Sequence, residues 1–147
     1  MIEFQNMKIV QAASPQTVAN GSASINEVDC TGYSYVTYIL NVGEDGTQDG
    51  AISVFKIQGS ASAGGSASDI TGAALTGSDL PGATDDGSAY AIHIDLRDKS
   101  KPMFHDVVLT EDNTGSGAYS VIAILQKEEG LNPVSAATRG FAAEAFA

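Results

Sequence analysis

The sequence predicts an all-β domain, an antiparallel β-sandwich of jelly-roll-like architecture with seven or eight strands. Three observations carry this prediction. Apolar residues recur at every second position rather than every 3.6. The apolar runs are short and rich in β-branched and aromatic side chains. Clusters of Gly, Asp, Asn and Ser separate them at the spacing of turns. At 147 residues and 43% hydrophobic composition the chain is long enough to bury one core, and a single sandwich fits that length.

The elements follow in order. Residues 7–12 open the pattern with Met7 and Ile9 on one side. Residues 23–30 continue it through Ala23, Ile25 and Val28, with a change of phase at Asn26–Glu27 that predicts a bulge. Residues 33–42 (YSYVTYILNV) form the strongest strand, β-branched or aromatic nearly throughout. Asp-Gly pairs around residues 44–50 mark the turn after it. Ile52, Val54 and Ile57 mark the next strand. Tyr90, Ile92, Ile94 and Leu96 alternate cleanly against Ala91, His93, Asp95 and Arg97. Residues 103–110 and 119–126 complete the set, with Pro102 at a strand start, where its missing N–H costs least. The alternation places Val36, Tyr38, Leu40, Ile92, Ile94, Ile122 and Ile124 in the sandwich interior.

Two segments break the rhythm. Residues 60–88 are mostly Gly, Ala, Ser, Thr and Asp, and read as one long loop. Ile70, Leu75 and Leu80 would staple it to the sandwich, with one helical turn at residues 72–75. The tail has few large apolar residues, so the chain divides into a sandwich with an N-terminal arm, residues 1–130, and a C-terminal arm, residues 131–147. Phe141 and Phe146 are the anchors of that arm. It is expected either to pin itself to a neighbouring subunit or to fold back over its own sandwich.

Composition narrows the function classes. Eighteen acidic residues against seven basic give a net charge of −11, which argues against a nucleic-acid backbone as partner. No apolar run approaches the ~18 residues of a membrane helix, and the first ten residues carry Glu3 and Lys8 without the apolar core of a signal peptide. Cys30 is the only cysteine, so an internal disulfide and a cysteine-based zinc site are excluded, and at a strand end it reads as core. No cofactor motif is present.

The candidate chemistries are weak. His93 and His105 would approach each other if their strands paired, and Asp95 or Asp106 could complete a metal site. The simpler expectation is a polar-face His93 and a surface His105 beside Asp106. The acidic stretches at 44–50, 85–87 and 111–113 read as solvated turns rather than cation loops. No serine stands in a nucleophile elbow. A two-carboxylate glycosidase is unsupported, because the chain has no Trp for stacking sugar. Asn20-Gly21-Ser22 matches a glycosylation sequon with no secretory context. Arg97, Lys99 and Lys101 place three of the seven basic residues in one turn. In so acidic a chain they serve either internal charge balance or docking on an acidic neighbour, with docking slightly favoured.

A linear pattern runs through most of the chain. It comprises Met7-Lys8-Ile9-Val10-Gln11-Ala12, Cys30-Thr31-Gly32-Tyr33-Ser34-Tyr35-Val36-Thr37-Tyr38, Phe55-Lys56-Ile57-Gln58, Asp69-Ile70-Thr71-Gly72-Ala73, Ile94-Asp95-Leu96-Arg97, and residues 115–125 (GSGAYSVIAIL). It resembles the small head-structure proteins of tailed bacteriophages, the class that includes capsid cement and decoration proteins. The resemblance implies a structural, non-enzymatic role on the outer surface of the virion head, after synthesis in the host cytoplasm. The implied partners are the major capsid protein and further copies of the chain in a dimer or trimer, with no nucleic acid and no membrane. Arg97, Lys99, Lys101, Phe141 and Phe146 are the expected interface residues. The rival expectations are a receptor- or carbohydrate-binding module, whose glycan would meet tyrosines such as Tyr33 and Tyr35, and an enzyme.

Overall fold

The computed structural model describes residues 7–43, 50–98, 100–112 and 115–127, and the backbone of Ala143–Phe146. Within these residues the strands are β1 (Met7–Ala19), β2 (Val28–Asp29), β3 (Tyr35–Val42), β4 (Ile52–Ser60), β5 (Ser68–Leu75), β6 (Ala89–Asp95), β7 (Phe104–Glu111), β8 (Ser116–Gln126) and β9 (Ala143–Phe146). They form two sheets, ordered β1-β8-β3-β6-β9 and β2-β7-β4-β5. The antiparallel partners nest: β1 with β8, β2 with β7, β3 with β6, β4 with β5. A long hairpin rolled up in this way is the jelly-roll sandwich the pattern predicted.

The core lies between the sheets. Val36, Tyr38, Leu40, Ile92 and Ile94 are buried there as expected, facing Phe55, Ile57, Val107 and Leu109 of the second sheet. Strand β8 has the opposite phase to the one expected. Val121, Ala123 and Leu125 point inward, and Ile122 and Ile124 lie half-buried on the outer face. In this phase Ala123 stands opposite Tyr38 of β3. Both faces of β8 are apolar, so hydrophobicity alone could not choose between them.

Three further differences have local causes. β1 runs to Ala19 and tolerates Pro15 because it is an edge strand. Its pairing with β8 slips at Gln11/Ala13 and Ala13/Gln16. There the Gln16 side chain substitutes for a peptide, donating to Ser24 O (2.8 Å) and accepting from Ser24 N (2.9 Å). Residues 23–30 are not one strand, because the segment changes partner. Ala23 N bonds Leu109 O in one sheet, Asn26 N bonds Ala12 O in the other, and only Val28–Asp29 pair as β2.

The third difference is β5, which lies inside the expected loop. Gln58 pairs with Asp69 and Lys56 with Ala74, so β5 bulges between them. Gly72 sits at φ 82°, where only glycine is unstrained. This breaks the alternation while still burying Ile70, Ala73 and Leu75. The helical turn expected at residues 72–75 is therefore strand, and a single 3-10 turn follows at Gly77–Asp79. Leu80 packs against the core, as the stapling expectation required.

In the C-terminal arm, β9 pairs in parallel with β6, from Tyr90↔Ala143 to His93↔Phe146. These four residues take the second of the two expected courses and return to their own sandwich.

The two faces of the first sheet can be told apart by paired substitutions. Ile94→Ala should cost about 2–5 kcal/mol in urea unfolding, the range for a buried large-to-small change. Ile124→Ala on the outer face should cost about 1 kcal/mol or less. Equal costs would mean that the phase of β8 is wrong.

Candidate functional site

The outer face of the β1-β8-β3-β6 sheet is the most unusual surface of the described residues. Register brings Ile9 opposite Ile124, Ile122 opposite Ile39, and Ile39 opposite Ala91. Four isoleucines from three adjacent strands therefore form one patch. Ile9 is 61% exposed, and Ile39, Ile122 and Ile124 are half-buried. Polar neighbours such as Gln11, Ser120 and Thr37 border the patch. The outer face of the second sheet differs. There Val54 and Val108 stand among Lys56, Gln58, Asp69 and Asp106, and Lys56 is paired with Asp69 at 2.8 Å. Sequence reasoning missed the isoleucine patch because it assigned Ile122 and Ile124 to the core. The available signal was that residues 121–125 are apolar in both phases, which requires cover on both faces.

The turn between β6 and β7 holds the expected basic cluster. Arg97 forms a two-point pair with Asp95: Nε donates to Oδ1 at 3.0 Å and Nη2 to Oδ2 at 2.6 Å. Its guanidinium also lies 4.8 Å from the centre of the Tyr35 ring. The hydrogen bonds from Arg97 hold the Asp95 carboxyl below its ordinary range. Asp98 is also held low, accepting from Ser100 N and Oγ. Arg97 is thus ion-paired within its own turn. Lys101, half-buried, makes no ion pair with the described residues. Lys99 and Phe141 lie outside the described residues, as do residues 44–49 of one acidic stretch. Phe146 is placed only by its backbone, opposite His93 on β9.

The two histidines are not brought together. β6 and β7 belong to different sheets, so the strand pairing that would have joined His93 to His105 does not occur. His93 lies on the outer face, where its Nδ1 is 2.9 Å from Thr37 Oγ1. His105 is not a surface neighbour of Asp106, because it is buried completely between the sheets. Its Nε2 donates to Pro102 O at 2.9 Å, which leaves Nδ1 to accept the Tyr38 hydroxyl at 2.9 Å. Cys30 Sγ lies 3.6 Å from the same nitrogen. Burial pushes the Cys30 thiol up to about 12, so it is inert rather than nucleophilic. Among the described residues no cluster of three His, Cys, Asp or Glu side chains could hold a metal ion.

Glu111 also departs from expectation. It is buried, not part of a solvated turn. Its carboxylate accepts from Asn20 N at 2.8 Å and Gly115 N at 3.2 Å, so it ties the ends of β1, β7 and β8 together. Asp85 does keep ordinary turn chemistry, accepting from Gly82 N at 2.7 Å and Tyr90 OH at 3.0 Å.

Burial depresses the His105 pKa below 6.5. The unfolded chain therefore takes up a proton at pH values where the folded chain does not, and the His105 contribution to stability falls as pH drops below about 6.5. Urea unfolding from pH 7 to pH 5 should show this decline, and His105→Gln should flatten it. Tyr38→Phe leaves the buried Nδ1 only the weak Cys30 thiol as a donor and should cost about 1–3 kcal/mol at pH 7. An equal pH slope in wild type and His105→Gln would show that the imidazole is not the titrating group.

No protein-family model matches the chain, and neither does any curated protein or solved structure.

Proposed function

We propose that the chain is a capsid cement protein. In this reading the jelly-roll domain lies on the outer surface of a tailed-phage head and stabilises contacts between major capsid protein subunits. The observation that carries it is the isoleucine face of the first sheet. A contiguous apolar patch rimmed by polar side chains is the usual mark of a surface that meets another protein. The side chains that form the patch are uncharged, in a chain of net charge −11. This face can therefore approach an acidic or a neutral floor without burying an unpaired charge.

The rest of the molecule supports a structural role. The jelly roll is a fold shared by viral capsid and lectin domains. The buried polar side chains Tyr38, His105 and Glu111 are bonded inside the protein and serve its cohesion. A high negative charge keeps a protein made in many copies soluble before it assembles. Self-association into a dimer or trimer on the head belongs to the same proposal.

Purified protein mixed with heads assembled from the matching major capsid protein should co-sediment in a fixed, saturable copy number. Ile9→Asp places a charge on the exposed edge of the patch. It should weaken head binding about tenfold or more, the scale of 1.4 kcal/mol. Its melting temperature should stay close to wild type, because Ile9 is 61% exposed. Unchanged co-sedimentation of Ile9→Asp, or binding to glycans with none to heads, would overturn the reading.

A further inference from the structure

A second surface lies at the opposite sheet's turns. The β4–β5 connection and the β6–β7 turn border an open depression of about 480 Å³, lined by Ser60, Ser66, Ser68, Ser100, Lys101 and Pro102 among others. Its chemistry is specific. The Ser60 hydroxyl is committed to Ser62 O and the Ser100 hydroxyl to Asp98 Oδ1. The Ser66 and Ser68 hydroxyls have no partner among the described residues, and the Lys101 ammonium has no ion pair there. Among the described residues the depression thus offers two hydroxyls and one cation and has no carboxylate in its lining, with Asp95 and Asp98 of the adjacent turn within reach of the Lys101 charge.

We propose that this depression receives a carboxylate side chain from an acidic segment of the protein on which the chain docks. The proposal rests on the reading of the chain as a protein-docking module and names the chemistry of its partner. One ammonium neutralises one carboxylate. A phosphate dianion would leave excess negative charge beside Asp95 and Asp98, which the adjacent turn already carries. The two-point guanidinium recognition that favours phosphate is missing, because Arg97 is engaged by Asp95. The wall is held from behind: Pro102 O accepts His105 Nε2, and Met103 O accepts Cys30 N at 2.9 Å. Lys101 is therefore presented from an anchored turn.

The test is an amide NMR titration of the full ¹⁵N-labelled chain with a hexaglutamate peptide. Shifts should concentrate at Ser60, Ser66, Ser68, Lys101 and Met103, and should weaken as salt is raised. Lys101→Gln should weaken binding on the order of fivefold, as expected for a partly exposed ion pair. Lys127→Gln, on the exposed end of β8, should leave it unchanged. Sodium acetate shifting the same amides more weakly supports the carboxylate assignment. Inorganic phosphate binding there more tightly than the peptide would overturn it. So would a neutral disaccharide shifting these amides where the peptide does not, the absence of any shift, or shifts indifferent to Lys101→Gln. The titration uses no capsid. Failure here with intact head binding rejects the depression alone, and success here without head binding rejects the capsid reading alone.

Discussion

Tyr38 spans the gap between the two sheets, and much of the structure follows from the need to accommodate it. Its ring occupies the centre of the core, and its hydroxyl ends in a region without water. A buried hydroxyl without a partner costs more than one hydrogen bond gains. His105, from the opposite sheet, supplies the acceptor. To accept at Nδ1 the imidazole must carry its proton on Nε2, and that proton goes to Pro102 O. The Pro102 carbonyl, which can only accept, thereby fixes the tautomer, and the imidazole joins Tyr38 of β3 to the turn that precedes β7. That turn carries Arg97 and Lys101. The ring is flanked in the two neighbouring strands by Ala123 of β8 and Ile92 of β6, both fully buried.

This dependence explains which parts of the fold could be read from the chain. β3, β6 and β7 were legible because one phase of each is apolar and the other largely polar or mixed. Bulged β5 was not, since its inward residues Ile70, Ala73 and Leu75 do not alternate. β8 was legible as a strand but not in its direction, because Ile122 and Ile124 are as apolar as Val121 and Leu125. The choice between them is made by packing across the folded sandwich and leaves no mark in the local pattern. His105 and Glu111 were misread for a related reason. Their burial is decided by partners distant in sequence, Tyr38 in one case and the Asn20 amide in the other. A local reading sees only a polar residue beside a turn.

The candidate surface has the same origin. A central strand apolar on both faces needs cover on both. The second sheet covers one face of β8. The other face, together with Ile39 of β3 and Ile9 of β1, makes the isoleucine patch. The phase that β8 takes therefore leaves Ile122 and Ile124 on the outer face. An isolated domain gains nothing from presenting it, whereas a domain that functions against another protein does.

Charge is arranged to leave that surface available. The three basic residues of the β6–β7 turn looked in sequence like one docking cluster. The structure separates two of them by role. Arg97 is held by Asp95 and stacked near Tyr35, so its charge is largely spent within the turn. Lys101 makes no ion pair with the described residues and lies at the rim of a depression whose wall is fixed by the His105–Pro102 bond. An exposed ion pair contributes little to stability, so Asp95–Arg97 matters less for folding than for local order. It confines the Arg97 guanidinium beside Asp95, while Lys101 acts at longer range on the Asp95 and Asp98 carboxyls and helps to hold both low. Of the two described cations of the turn, one is therefore fixed by direct hydrogen bonds and the other is held by long-range attraction alone, which is weaker and screened by salt.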